Sequence, residues 1–101
     1  PVSAVGDAPA PAARVIAVEP NPSNHSATIR YEAPSGSVDL SIYDAAGRLV
    51  RRLVGQGHGT GVRSVIWNGD DDSGARVHSG AYYARLRAGP VTAVKPVVIV
   101  D

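Results

Sequence analysis

Apolar and polar residues alternate with a period of two along several short stretches of this chain. In the stretch 37–43, the apolar residues Val38, Leu40 and Ile42 are separated by polar ones. Successive side chains of a β-strand point to opposite faces of its sheet, so this spacing predicts a strand with one face in a core. The segment with the most regular alternation therefore indicates β-sheet structure.

Similar runs recur along the chain, and residues that favour turns (Gly, Pro, Asn and Asp) separate them. No stretch of ten or more residues has a convincing helical period, which argues against a parallel sheet with crossover helices. Short strands with turn signals every eight to twelve residues or so are typical of a sandwich. The chain is predicted to be all-β, an Ig-like antiparallel β-sandwich of about seven strands, at 15–18, 27–33, 37–43, 47–54, 62–67, 81–87 and 91–100.

Two of these strands are irregular in sequence. In the stretch 47–54 the apolar positions are 49, 50, 53 and 54, a spacing that also fits a helical turn. A strand is favoured, with a bulge or at a sheet edge, because Gly55 ends the run so soon. In the stretch 91–100, Pro96 has no amide hydrogen and therefore suits an edge strand or a bulge.

The predicted core follows from the inward positions of these strands. The chain has no Phe and no Met and a single Trp, so few large apolar side chains are available. Trp67 and Tyr82 are therefore expected to be the aromatic anchors between the two sheets. The core is predicted to contain Ile29, Tyr31, Leu40, Ile42, Val65, Trp67, Tyr82 and Leu86.

Length and composition narrow the function classes. A chain of 101 residues is expected to form one domain with a modest core. A net charge of +1 gives no electrostatic case for a nucleic-acid partner. No stretch approaches the roughly 20 apolar residues of a membrane span, so membrane insertion is not expected. Without Cys, neither a disulfide nor a thiolate metal site is available.

Residues 1–13 differ in composition from the rest. Ala and Pro alternate at positions 8–12, which favours an extended, polyproline-like tether. We therefore expect 1–13 to be an Ala/Pro-rich linker and 14–101 to be the Ig-like β-sandwich domain. The first residue is not Met, and the tether suggests that the domain is part of a longer protein.

An acidic turn follows Trp67 and offers the strongest candidate metal ligands. Asn68, Asp70 and Asp72 alternate near glycines, and oxygen ligands at such a spacing could surround a Ca²⁺ ion. An EF-hand loop counted from Asn68 would need Gly at its sixth position and Glu at its twelfth, where Ser73 and Ser79 stand. The competing interpretation, that these side chains cap a turn through hydrogen bonds to the backbone, is preferred. No cofactor is predicted.

Other candidate chemistry is sparse, and the chain is not expected to be an enzyme. The three histidines lie in three different loops, and no serine stands in a G-x-S-x-G nucleophile elbow. A basic patch for an acidic partner is possible if neighbouring strands bring arginines to one face, although paired, solvated arginines are the commoner outcome. The arginines concerned are Arg48, Arg51, Arg52, Arg85 and Arg87.

The last strand carries an apolar run, Val97, Val98, Ile99 and Val100, with high β-propensity. At an exposed sheet edge, such a run would pair with a strand of another chain, so these four residues are a candidate interaction edge. The alternative is that they belong to an interior strand of the sandwich.

A set of short motifs gives the chain a family resemblance. In order, they are Pro20-Asn21-Pro22, 27–31, 43–50, Trp67-Asn68-Gly69, Asp72-Ser73-Gly74, 79–82 and 86–89. Together they resemble the Ig-like domain of the flagellar hook-capping protein and the C-terminal sorting domains of bacterial secreted proteins, including the type IX (Por) group. Ser23 stands where that family often has an aromatic residue.

The resemblance implies a non-catalytic C-terminal sorting or surface-attachment module of an exported bacterial protein, located extracellularly or at the cell surface. Its partners would be proteins: the parent chain through the linker, the export or surface machinery, or another copy. Two alternatives stay open. One is a structural self-assembly module of an extracellular complex or filament; the other is an accessory carbohydrate-binding domain of a secreted hydrolase, which an exposed row of aromatic side chains would favour.

Overall fold

The computed structural model describes residues 13–33, 38–54 and 61–100. Within these ranges the chain forms antiparallel strands and no helix, and the prediction of an all-β sandwich is confirmed. The strands are β1 (Arg14–Glu19), β2 (Ala27–Ala33), β3 (Val38–Asp44), β4 (Leu49–Val54), β5 (Gly61–Trp67), β6 (Gly80–Ala88) and β7 (Val91–Ile99).

The strands divide into two sheets. One sheet has three strands in the order β1-β2-β5, and the other has four in the order β4-β3-β6-β7. β5, β1, β4 and β7 are therefore the four edge strands. Pro96 lies in an edge strand, as its missing amide hydrogen predicts. In the part of the chain that the structure describes, no helix has the length and apolarity needed to cross a membrane.

The irregular pairing of β4 explains the ambiguous spacing of apolar residues in its sequence. Its pairing with β3 shifts register twice, so that Leu53 and Val50 are each an extra residue without a direct partner. A bulge lets two consecutive residues turn toward the same side of a strand. Val50, Leu53 and Val54 consequently all pack against the core, whereas Leu49 is exposed. The strand interpretation, with bulges and at an edge, is confirmed.

The core lies between the two sheets, where alternate residues of β2, β3, β6 and β7 meet. Trp67 and Tyr82 connect the sheets through an edge-to-face contact, with ring centroids 5.5 Å apart and planes at 66°. Val65 is only partly buried and packs at the margin of the core, because β5 is an edge strand. The other predicted core residues are buried: Ile29, Tyr31, Leu40, Ile42, Trp67, Tyr82 and Leu86.

Ala13 is buried at the start of β1, although the linker was expected to extend through it. The remaining predicted linker residues, 1–12, lie outside the described residues. Ala13, the last residue of the expected linker, therefore packs against the sandwich.

Candidate interaction surface

The acidic turn 68–74 holds the outer edge of β4. The Asp72 amide donates to the Val50 carbonyl oxygen at 2.9 Å, and the Asp72 carboxylate accepts from the Arg52 amide at 3.2 Å. The Arg51 guanidinium donates to the Asp71 carbonyl oxygen at 2.9 Å. The two bonds to Val50 and Arg52 satisfy backbone groups of an edge strand that would otherwise be available to another chain.

Arg51 occupies the position that a cation would take in this turn. Its Nη1 lies 3.7 Å from Asp70 Oδ2, and its Nε lies 3.9 Å from Asp72 Oδ1. Among the described residues, no group of three His, Cys, Asp or Glu side chains is placed to hold a metal ion. Asn68, Asp70 and Asp72 therefore do not form a ligand set; two of them surround a guanidinium, which supports the turn-forming interpretation.

Two other aspartates stabilise turns because their carboxylates accept hydrogen bonds from backbone amides two and four residues further along the chain. Asp71 accepts from the amides of Ser73 and Ala75 and, at 2.6 Å, from the Ser73 hydroxyl; this hydroxyl bond is the main reason that the Asp71 pKa is lowered. Asp44 accepts from the amides of Ala46 and Arg48, and the Arg48 amide is the main cause of its lowered pKa. Both carboxylates are ionised turn caps.

Four of the five arginines considered for a basic patch contact a polar partner. Arg48 pairs with Asp44 at 2.9 Å, Arg52 lies 3.7 Å from Asp39, and Arg51 contacts the acidic turn. Arg85 contacts Tyr43, and Arg87 lies directly opposite Asp39 in the pairing of β3 with β6. The predicted residues do not gather into one unpaired basic patch.

A shallow cleft lies at one end of the sandwich, between the β3–β4 turn and the segment 75–78. Tyr82 lines it, and its hydroxyl donates to the His78 carbonyl oxygen at 2.6 Å. A tyrosine at the start of this strand that bonds to backbone a few residues upstream is a known device of Ig-like sandwiches, the tyrosine corner. His58 lies outside the described residues, and the described histidines, His25 and His78, contribute backbone carbonyls to the contacts seen here.

A partly apolar exposed surface lies on the outer face of the four-stranded sheet. Tyr43 and Tyr83 lie directly opposite each other on β3 and β6, and Arg85 lies opposite Val94 on β7. We call these four residues the tyrosine face. Tyr83 is 37% exposed and Val94 is 56% exposed. The four residues line a shallow depression together with the β3–β4 turn at Asp44, Ala45 and Gly47.

Arg85 fixes the position of Tyr43 in the tyrosine face. The guanidinium carbon lies 4.3 Å from the centre of the Tyr43 ring, and Nη2 donates to the Tyr43 hydroxyl at 2.8 Å. A cation over an aromatic face is attracted by the ring quadrupole. The surface thus combines ordered aromatic and apolar side chains with a positive charge, the composition that hot spots of protein interfaces favour.

The predicted interaction edge of β7 is already occupied. The side chain of Asn21 accepts from the Val98 amide at 2.9 Å and donates to the Pro96 carbonyl oxygen at 3.0 Å. The Ser23 backbone then bonds to the Val98 carbonyl at 2.9 Å and to the Val100 amide at 2.8 Å. The residues of this region have mixed exposure: Val97 and Ile99 are buried in the core, Val98 is partly buried and Val100 is exposed.

β7 is thus an edge strand and not the interior strand of the alternative prediction, but the bonds of Asn21 and Ser23 occupy its backbone groups, so the candidate interaction edge at 97–100 is not free. Pro20-Asn21-Pro22 was recognisable in the sequence only as a family motif. Neither the position of Asn21 along β7 nor the bond from the Tyr82 hydroxyl to a carbonyl four residues upstream was predicted. The spacing from His78 to Tyr82 was the available signal for the second feature.

The fold is similar to that of solved structures. One is dimeric latent PorU from Porphyromonas gingivalis, with a TM-score of 0.70 and 24% identity over 92% of this chain. This chain spans only 10% of the PorU chain, and at that identity the likeness shows the fold alone. The Ig1 domain of mouse SynCAM 2 matches over 90% of this chain and 93% of its own, with 10% identity and a TM-score of 0.41.

Curated protein sequences include none that matches this chain. A family model does match: the FlgD Ig-like domain, over residues 19–89. The match runs from the end of β1 through β6 and includes the acidic turn, the tyrosine corner and three of the four residues of the tyrosine face. Because it covers well over half of the sequence, the chain belongs to the FlgD Ig-like domain family.

Proposed function

We propose that the chain is a non-catalytic sorting or surface-attachment module of a larger exported bacterial protein. Two observations support a module within a larger protein: membership of the FlgD Ig-like domain family, and a fold similar to about a tenth of the PorU chain. The module would work outside the cell or at its surface, and its partner would be a protein of the export or surface machinery.

The tyrosine face is the single observation that carries the proposal. An attachment module needs a surface that binds without a large rearrangement, because ordering side chains on binding costs affinity. Tyr43 is already held by Arg85, and Tyr83 and Val94 stand on neighbouring strands of a paired sheet. A protein partner covering these side chains would bury aromatic and apolar area around one cation.

Export of the parent protein tests this proposal. Deleting residues 14–101 should leave the parent inside the cell, and the double variant Tyr83→Ser with Val94→Ser should have the same effect in a folded domain. The matched control is Thr28→Ala with Arg30→Ala, which changes two exposed residues on the outer face of the three-stranded sheet. Unchanged export of the deletion variant would contradict the proposal. Unchanged export of the double variant would exclude the tyrosine face as the attachment surface.

Carbohydrate binding is a second candidate, favoured by the adjacent Tyr43 and Tyr83 rings beside the Arg85 guanidinium. Sugar rings stack on exposed aromatic side chains, and a cation can bind an acidic sugar. Titration of the isolated chain with neutral and acidic oligosaccharides, followed by NMR, distinguishes the two candidates. Shifts confined to Tyr83 and its neighbours would favour a glycan ligand, and an unchanged spectrum would favour a protein partner.

A further inference from the structure

The four edge strands of the sandwich differ in what lies along them. Asp72 covers the outer edge of β4, and Asn21 with Ser23 covers the C-terminal half of β7. β1 packs against β7 of the other sheet. Among the described residues, β2 is the one strand paired with β5, so the opposite edge of β5 has no strand beside it.

The exposed face of β5 is apolar at both ends. Val62 is 54% exposed and Ile66 is 58% exposed, and Ser64 lies exposed between them. Natural proteins usually protect an open edge strand with charges, proline or a covering loop. β5 carries the exposed charge of Arg63, but it also keeps two exposed β-branched residues, which suit pairing with another strand.

We propose that β5 pairs antiparallel with β5 of a second copy of this chain, around a two-fold axis at Ser64. In this register Ser64 lies opposite Ser64 of the other copy, and Val62 lies opposite Ile66 twice. Directly opposed apolar side chains on one sheet face stabilise strand pairing. The two three-stranded sheets then form one continuous six-stranded sheet, with four apolar side chains together on its outer face.

Neighbouring registers are less favourable. An axis at Arg63 would place two guanidinium groups directly opposite each other, which destabilises a strand pair. An axis at Val65 would place Ile66 opposite Ser64 and Val62 opposite Asn68, so that neither exposed apolar residue meets another. The axis at Ser64 is also compatible with the charges on β2, because Arg30 lies beside Ser64 within its own sheet, one strand away from the axis.

The pairing is a closed, isologous contact, since each copy contributes the same strand. It therefore predicts a dimer and no larger assembly. It also leaves the tyrosine face free in both copies, because that surface is on the other sheet of the sandwich. The dimer is accordingly independent of the proposed attachment role, and each can fail without the other.

The absence of cysteine makes the register directly testable by cross-linking. Ser64→Cys should give a covalent dimer with a short thiol-specific cross-linker, seen on a non-reducing gel. Val62→Cys and Ile66→Cys should each react poorly alone and should give a heterodimer when mixed, because only the mixture places two thiols opposite each other. Thr92→Cys, exposed on β7, is the matched control and should stay monomeric.

The mass in solution of the chain without any substitution, measured by sedimentation, completes the test. The mass should rise with concentration from 10.4 kDa toward twice that value. Ile66→Lys should remain monomeric, whereas Val94→Lys, at an equally exposed site on the other sheet, should dimerise as the parent sequence does. A monomer at every concentration, equal cross-linking at Ser64 and Thr92, or a dimer retained by Ile66→Lys would each overturn the proposal.

Discussion

The ring of Trp67 meets the ring of Tyr82 edge to face, with centroids 5.5 Å apart, and this contact joins the three-stranded sheet to the four-stranded one. Trp67 is fully buried, and its indole N–H donates to the Asp70 carbonyl oxygen at 2.8 Å. One side chain thus packs the core and holds the acidic turn that covers β4.

Replacing Trp67 with alanine should therefore be severe. We expect Trp67→Ala to lower the free energy of unfolding by about 3–5 kcal/mol, because the cavity cannot be refilled in a core without Phe or Met. Such a loss is comparable with the whole stability of a small domain. Urea unfolding followed by circular dichroism measures it, with Tyr83→Ala as the exposed aromatic control. A sharp transition at an unchanged midpoint would contradict the assigned role.

Gly69 should tolerate no side chain. Its φ is +71°, and a Cβ there would lie 2.6 Å from the His25 carbonyl oxygen. Gly74 has a similar φ of +90° but open space around it. Gly74→Ala should cost only the conformational penalty of about 1–2 kcal/mol, whereas Gly69→Ala adds a steric clash with backbone. Thermal melts of both variants test this, and equal losses would show that the close approach to His25 is unimportant.

Ser23 and Ser41 form a matched pair of buried serines with opposite expected effects. Within the described part of the chain, the Ser23 hydroxyl has no hydrogen-bond partner, whereas the Ser41 hydroxyl donates to Asp39 at 2.6 Å. An unsatisfied buried hydroxyl is costly, and a satisfied one contributes about 1 kcal/mol. Ser23→Ala should raise the free energy of unfolding, and Ser41→Ala should lower it. Denaturant titrations of the two variants measure these changes. A lower free energy of unfolding in both variants would contradict the prediction for Ser23.

Asn21 should protect β7 as well as stabilise it. Asn21→Ala removes two hydrogen bonds to the edge of β7, and we expect a loss of about 1 kcal/mol. The freed Pro96 carbonyl and Val98 amide should also increase association between chains. Chemical denaturation and light scattering measure the two effects, with Asn24→Ala as the control. Unchanged scattering together with unchanged stability would mean that Asn21 does not seal this edge.

Acid should destabilise the fold partly through Asp71. Its pKa is lowered in the folded state, chiefly by the Ser73 hydroxyl, so its contribution is present above its unfolded pKa near 3.8. That contribution is lost as the pH falls below about 4 through the lower folded pKa. Urea midpoints from pH 6 to pH 2 should fall less steeply in Asp71→Asn than in the parent sequence. Identical slopes would show that Asp71 is not linked to folding.

The strand pattern was predictable from sequence because it depends on local periodicity. The predicted stretches 27–33 and 62–67 agree with β2 and β5 to within one residue, and burial alternates regularly along β2. The irregular pairing of β4 was visible in the sequence as a broken apolar period, and the extra residue Leu53 accounts for the adjacent residues 53 and 54 that both pack against the core.

Contacts between distant segments were not predictable in the same way. No local pattern indicates that Asn21 lies along β7, or that Arg51 rather than a metal ion lies among the acidic side chains of 70–72. Likewise, the exposure of Val62 and Ile66 depends on β5 being an edge strand, which is a property of strand order. The candidate surfaces could therefore be identified only once the strand order was known, even though each of their residues was visible in the sequence.

The bonds that Asn21 and Ser23 make to β7 connect positions 75–77 residues apart, which has a consequence for the timing of folding. Closing so long a loop is slow, because the chain loses conformational entropy before the native contacts have formed and can compensate for that loss. During synthesis, β1 emerges many residues before β7, against which it packs, and the bonds of Asn21 and Ser23 to β7 cannot all form until residue 100 is available. The contacts that cover the edge of β7 should therefore be among the last to form while the chain is being made.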